Sequence, residues 1–207
     1  MNERRHILLF LILSVVYAAR AQHPVDSVRS PAIRINFSAT PFQLYLFHVK
    51  PNGEPRKSTV GYLGYTAGID LFYAPARFVH IGGSISTDKP FDEQFGGNDE
   101  QSFNQTVYAL NNMTWKRWTF GYGLHYSRMN WFITAHQGSN ATTLVNKQTT
   151  ALGAMVDVQY QFTKNMFGRL NYRPNLMALS PNTDYRYEHM ISFGIDWKFV
   201  IKRHKKQ

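Results

Sequence analysis

The chain contains no cysteine. That absence excludes a disulfide framework, a thiolate metal site, a cysteine nucleophile and a lipid-modified N-terminal cysteine. Charge is scarce as well: 17% of the 207 residues are Asp, Glu, Lys or Arg, against about 25% in an ordinary soluble domain. Acidic residues are the scarcer kind, 13 against 23 basic ones, for a formal charge of +10. Past the first 21 residues no run of 18 apolar residues occurs, so no later segment can cross a bilayer as a helix. Aromatic residues are plentiful, with Tyr 12, Phe 15 and Trp 4. A chain this apolar is not disordered, and its length suits one domain.

Residues 1–21 read as a targeting segment. Arg4 and Arg5 precede an apolar run from Ile7 to Tyr17, and the small-residue pattern Ala19-Arg20-Ala21 follows. This is the layout of a secretory signal peptide, with cleavage expected after Ala21. The apolar run is shorter than the roughly 20 residues a spanning helix needs. The expected organisation is a signal peptide at 1–21, a periplasmic lead at 22–31, a barrel at 32–201 and a basic periplasmic tail at 202–207.

The body shows period-two alternation, the mark of strands. Ile191, Phe193, Ile195, Trp197 and Phe199 alternate with Ser192, Gly194, Asp196 and Lys198. Trp118, Phe120, Tyr122, Leu124 and Tyr126 alternate with Thr119, Gly121, Gly123, His125 and Ser127. Eight strands are predicted, at 32–49, 59–74, 77–88, 104–115, 118–130, 148–163, 166–178 and 189–201. Pro41 predicts an irregularity in the first, and the weak alternation of the fourth leaves its facing open. The connections after the even strands are tight: Pro75-Ala76, Lys116-Arg117 and Lys164-Asn165. Those after the odd strands, 50–58, 89–103, 131–147 and 179–188, are longer and polar. Short turns at one end and long loops at the other are the pattern of an outer-membrane barrel. The predicted fold is therefore all-β, an eight-stranded antiparallel up-and-down transmembrane β-barrel.

A soluble eight-stranded barrel of the lipocalin kind points its apolar residues inward. Here one parity of each strand carries bulky apolar and aromatic side chains, and the other carries Gly, Ser, Thr, Gln and charges. An eight-stranded interior is only wide enough to be filled by side chains. The bulky set is therefore assigned to lipid and the small polar set to the lumen. Aromatic residues also gather in two rows. Tyr73, Trp115, Trp118, Phe162, Trp197 and Phe199 fall near the turns, and Tyr62, Tyr126, Trp131 and Phe132 near the loops.

Across residues 32–201 this architecture resembles the small eight-stranded outer-membrane barrels, the group of the OmpA transmembrane domain, OmpX-type proteins and lipid A-modifying barrels. The resemblance implies residence in the outer membrane of a Gram-negative bacterium and insertion by the barrel-assembly machinery. That machinery reads an aromatic residue at the end of the last strand. Phe199 is similar, although Val200 to Gln207 follow it.

The inward parity collects Arg34, Arg169, Arg173 and Lys198 against Asp70, Asp157 and Asp196. Unpaired charges in a closed lumen are costly, so a network of ion pairs is expected there, without an open pore. His125 and Ser127, two apart on one strand face, suit an imidazole that activates a hydroxyl, and they resemble the His-x-Ser of the lipid A deacylase barrels. In that family an Asn follows the Ser, where this chain has Arg128, and no acidic residue lies between Ser127 and Asp157. Parity points both residues into the lumen. His80, His136 and His189 have no metal-ligand spacing, so neither a metal nor a cofactor is expected.

The expected role is structural or one of surface interaction through the loops, with recognition at 89–103 and 131–147. The expected partners are outer-membrane lipid, the barrel-assembly machinery and lipopolysaccharide, whose phosphates suit Lys50, Arg56, Lys57, Lys89, Lys147 and Arg186. The tail run Lys202-Arg203-His204-Lys205-Lys206 faces no nucleic acid in that compartment. Two other classes stay open: a lipid A-modifying hydrolase using His125 and Ser127, and a soluble lipocalin-like binder.

Overall fold

The computed structural model describes residues 31–48, 57–61, 63–87, 98–137, 140–180 and 188–203. The signal peptide, nearly all of the lead and the last four residues of the tail lie outside them. The strands are β1 (Pro31–His48), β2 (Lys57–Gly61 and Leu63–Ala74), β3 (Arg77–Thr87), β4 (Asn98–Trp115), β5 (Trp118–Gln137), β6 (Asn140–Gln161), β7 (Met166–Ser180) and β8 (Glu188–Arg203). The two segments of β2 continue one register against β1, from Gln43↔Gly61 through Thr40↔Gly64 to Ile33↔Leu71, so they are one strand. Each strand pairs antiparallel with the next. Pairing of β1 with β8 closes the sheet into a barrel without a free edge. The described residues contain no helix.

Facing follows the parity read from the sequence. Phe37, Tyr65, Ile81, Val107, Tyr122, Leu124, Val156, Leu170 and Phe193 lie on the outside and are exposed, Tyr122 by 65%. Asn36, Ser38, Thr66, Asn104, Thr106, Thr119, Gln159 and Ser192 point inward and are buried. The facing of β4 is resolved: Ser102, Asn104, Thr106, Tyr108, Leu110 and Asn112 are inside. Bulky residues also fill the lumen, among them Phe78, Tyr108, Leu110, Met155, Phe167 and Met190. Glycines make the room for Tyr108 and the neighbouring His80. A Cβ on Gly82 would come within 2.8 Å of the Tyr108 Oη, and one on Gly68 would overlap the His80 ring.

In the row at the turns, Tyr73, Trp118, Phe162, Trp197 and Phe199 are exposed and Trp115 is half-buried. In the row at the loops, Tyr126 is exposed and Phe132 half-buried, while the side chains of Tyr62 and Trp131 lie outside the described residues.

Proline shapes two strands. The register of β1 against β8 slips between Ala39 and Phe42, at the predicted irregularity of Pro41. A similar slip in β6–β7 falls between Leu152 and Gly153, opposite Asn175, next to Pro174. Proline has no N–H for the ladder, and a bulge absorbs the loss.

Several boundaries differ from expectation. The segment 131–147 is not a long loop: Trp131↔Lys147, Ile133↔Val145 and Gln137↔Asn140 continue the β5–β6 ladder, leaving only 138–139 between the strands. Likewise 98–103 belong to β4, with Asn98 opposite Ala135. Backbone pairing needs no apolar face, so strands run on where alternation fades. The expected Lys164-Asn165 turn is wider: β6 ends at Gln161, and the Phe162 and Thr163 N–H groups donate to the Met166 carbonyl at 3.0 and 3.2 Å. In the tail, Lys202 and Arg203 are the last residues of β8. At the Lys116-Arg117 turn, Lys116 takes φ 55°, which suits the primed turns that close two-residue hairpins. Its ammonium lies 5.0 Å from the Trp115 ring centroid.

Candidate functional site

The inward charges form a connected network across the lumen. Asp70 on β2 is fully buried and meets Arg34 of the adjoining β1, whose Nε donates to Oδ2 at 2.7 Å. Asn36 Nδ2 donates to Oδ1 at 3.1 Å. His80 on β3 places Nδ1 2.6 Å from the same oxygen, which makes Nδ1–H the donor. His80 Nε2 lies 3.2 Å from the Tyr108 hydroxyl. Lys198 on β8 approaches Asp70 to 4.0 Å from the other side of β1.

A second centre lies on β6 and β7. Asp157, also fully buried, accepts from Arg169 Nε at 2.6 Å and from Asn171 Nδ2 at 3.2 Å. Gln159 donates to the other Asp157 oxygen and accepts from the Lys198 ammonium, which links the two centres. A second link runs through Tyr108, whose oxygen accepts from Arg169 at 3.4 Å. Asp196 stands 3.9 Å from Arg169. Beneath the network, toward the turns, Phe72, Phe78 and Phe167 surround Arg34, with its guanidinium carbon 5.1 Å from the first two ring centroids. Lys198 lies 4.6 Å from the Phe167 centroid.

Six of the seven charged residues read from the sequence are thus brought together. The seventh, Arg173, stands apart, nearer the loop end. Its guanidinium donates to Ser84 Oγ and Thr106 Oγ1, each at 3.2 Å, and contacts the Met190 sulfur at 3.5 Å. His125 and Ser127 line a cavity of about 40 Å³ beside it, and both are buried in the lumen. A water needs roughly 10–15 Å³ of such space, so a few fit.

His125 and Ser127 do not address each other. His125 Nε2 lies 3.4 Å from the Pro174 carbonyl, Ser127 Oγ donates to Asn175 Oδ1 at 3.4 Å, and among the described residues His125 Nδ1 has no partner. Both side chains are therefore oriented by β7, away from the lipid-facing surface. Among the described residues no cluster of metal-ligating side chains occurs. His136 lies in β5, but its side chain falls outside the described residues.

The sequence reading missed Asn36, His80, Tyr108, Gln159 and Asn171 as members of the network. Their signal was present as polar or bulky residues on the inward parity, beside glycines for His80 and Tyr108. Gly68 and Gly82 make the room that His80 and Tyr108 occupy.

No family model matches the chain, and no curated protein matches it in sequence. Solved structures do. Ail, the attachment invasion locus protein of Yersinia pestis, in complex with the heparin analogue sucrose octasulfate, is similar at TM-score 0.52 and 12% identity. That match covers 81% of this chain and 96% of the other. The outer membrane protein OprG from Pseudomonas aeruginosa is similar at TM-score 0.51 and 13% identity, covering 83% and 98%. The fold is that of the small outer-membrane barrels.

Proposed function

We propose that this chain is a surface-interaction protein embedded in a bacterial outer membrane, closed to solutes and acting through its loop end. One observation carries the reading. The barrel exposes a continuous apolar and aromatic exterior, from Trp118 at 40% through Tyr122 at 65% to Tyr126 at 40% along β5 alone, around an interior of buried ion pairs. Water would not tolerate that exterior on a monomeric soluble protein, and a lipocalin-like barrel would have it inverted. The network of Asp70, Asp157, Arg169 and Lys198, packed with Phe78 and Leu110, supports a sealed lumen, in keeping with eight strands.

The partner class rests on individual basic residues. Lys50, Arg56, Lys57, Lys89, Lys147 and Arg186 stand in or beside the expected loops, interspersed with Glu54, Asp92, Glu93, Asp99, Glu100, Asp184 and Glu188, so the contact would be carried by single side chains and not by a net positive field. These basic side chains suit a polyanionic surface ligand, and the Yersinia barrel named above was crystallised with a heparin analogue. Lipopolysaccharide phosphate is the reading we favour for this chain.

The test is expression in a Gram-negative host followed by fractionation and electrophoresis with and without boiling. The expected result is outer-membrane recovery only in detergent, a mobility shift on heating, and no conductance in planar bilayers. A protein that stays soluble without detergent would overturn the membrane assignment, and stepwise conductance would overturn the sealed lumen.

A further inference from the structure

The exterior of the barrel is not evenly filled. Ala67 of β2 and Gly83 of β3 are register partners, and together they floor a hollow of about 720 Å³ on the outer wall. Phe37 and Val107, the partners of Ala67 and Gly83 on the neighbouring strands and exposed by 52% and 59%, rise on either side. A Cβ built on Gly83 would meet nothing closer than the Thr106 carbonyl at 3.6 Å. The hollow is therefore open because the sequence places nothing larger than a methyl group on its floor.

At the loop-side end the lining changes character. Gln105 of β4 and Arg128 of β5, paired in register, close that end with polar groups. Arg128 lies ten positions beyond Trp118 along β5. At about 3.3 Å per residue and a tilt near 40°, that places it roughly 25 Å above the turn-side aromatic row, the height of an apolar band. Arg128 Nη2 donates to Gln148 Oε1 at 2.7 Å. Gln148 is neutral, and among the described residues no carboxylate pairs with Arg128.

We propose that the hollow seats an acyl chain of a phosphorylated glycolipid of the lipid A class, whose phosphate is taken by Arg128 and Gln105. The floor and walls supply apolar contact along the chain. A guanidinium at the interface gives the phosphate a charge-assisted, two-pronged donor. This rests on the membrane reading above, because only that orientation puts Arg128 in the outer leaflet, where such glycolipid is the resident lipid.

The test is native mass spectrometry of the full-length mature chain in detergent, titrated with lipid A, with dephosphorylated lipid A and with phosphatidylglycerol. The expected result is one lipid A retained per barrel, with affinity about tenfold lower for Arg128→Gln and no such loss with the dephosphorylated form. Gly83→Leu and Ala67→Phe, which point outward and fill the hollow, should abolish retention while keeping the heat-dependent mobility shift of a folded barrel. Retention unchanged in both filled variants would overturn the proposal. Equal retention of phosphatidylglycerol would overturn the glycolipid assignment. A dimer that Gly83→Leu dissolves would give the hollow to a second copy of this chain instead. Solubility without detergent is read separately, so failure of the membrane assignment is distinguishable from failure of this site.

Discussion

At the scale of single residues, the lumen concentrates the largest energies. Asp157 holds Arg169, Asn171 and Gln159 at once. Removing it leaves the buried Arg169 guanidinium with the longer 3.9 Å approach of Asp196 in place of its close pair, and losing one partner of a buried pair costs about 3–5 kcal/mol. Asp157→Ala should lower the urea midpoint of the refolded barrel by that order. The double variant Asp157→Ala/Arg169→Leu should recover part of it, because the stranded charge is gone and an apolar side chain fills its place. A double variant as unstable as the single one would show that the pair matters only for packing. The existence of these residues was legible in the sequence from parity alone. Their partners were not, because Arg34 and Asp70 lie 36 positions apart and Arg169 reaches Tyr108 across 61. Those contacts depend on how far the strands are staggered around the barrel, which no local pattern states.

At the scale of elements, closeness of backbone to backbone decides which glycines are replaceable. A Cβ on Gly123 in β5 would overlap the Ala109 carbonyl of β4 and come within 2.9 Å of Leu110 Cα. Gly123→Ala must push the β4–β5 ladder apart and should cost more than about 1 kcal/mol, whereas Gly83→Ala, facing open space, should be neutral within error. Urea titration in one detergent compares the two, and equal stabilities would contradict the close approach. Strands inside the apolar band were legible because each needs one greasy and one polar face. Beyond it the requirement lapses. Residues 140–143 read Asn-Ala-Thr-Thr, with no alternation, yet they pair with 134–137. The two threonines, β-branched and at home in strands, were the remaining clue.

At the scale of the whole molecule, the absence of cysteine makes topology directly measurable. Single variants Ser139→Cys, between β5 and β6, and Arg117→Cys, in a tight turn, each carry one thiol. In intact cells a membrane-impermeant maleimide should label the first and spare the second until the outer membrane is opened. Labelling in the reverse order would invert the assignment of loops to the outside. The β5–β6 pair adds a further consequence. A strand needs about 9–11 residues to cross a bilayer, whereas β5 has 20 and β6 has 22. In a membrane the surplus stands clear of the lipid as a hydrogen-bonded ribbon, bent where the register slips between Ile133 and Thr134. Whatever meets the paired flanks of this ribbon meets backbone already fixed by the ladder between 131–137 and 140–147. Little ordering entropy is left to lose on contact, so affinity there depends on the side chains presented and hardly at all on loop length.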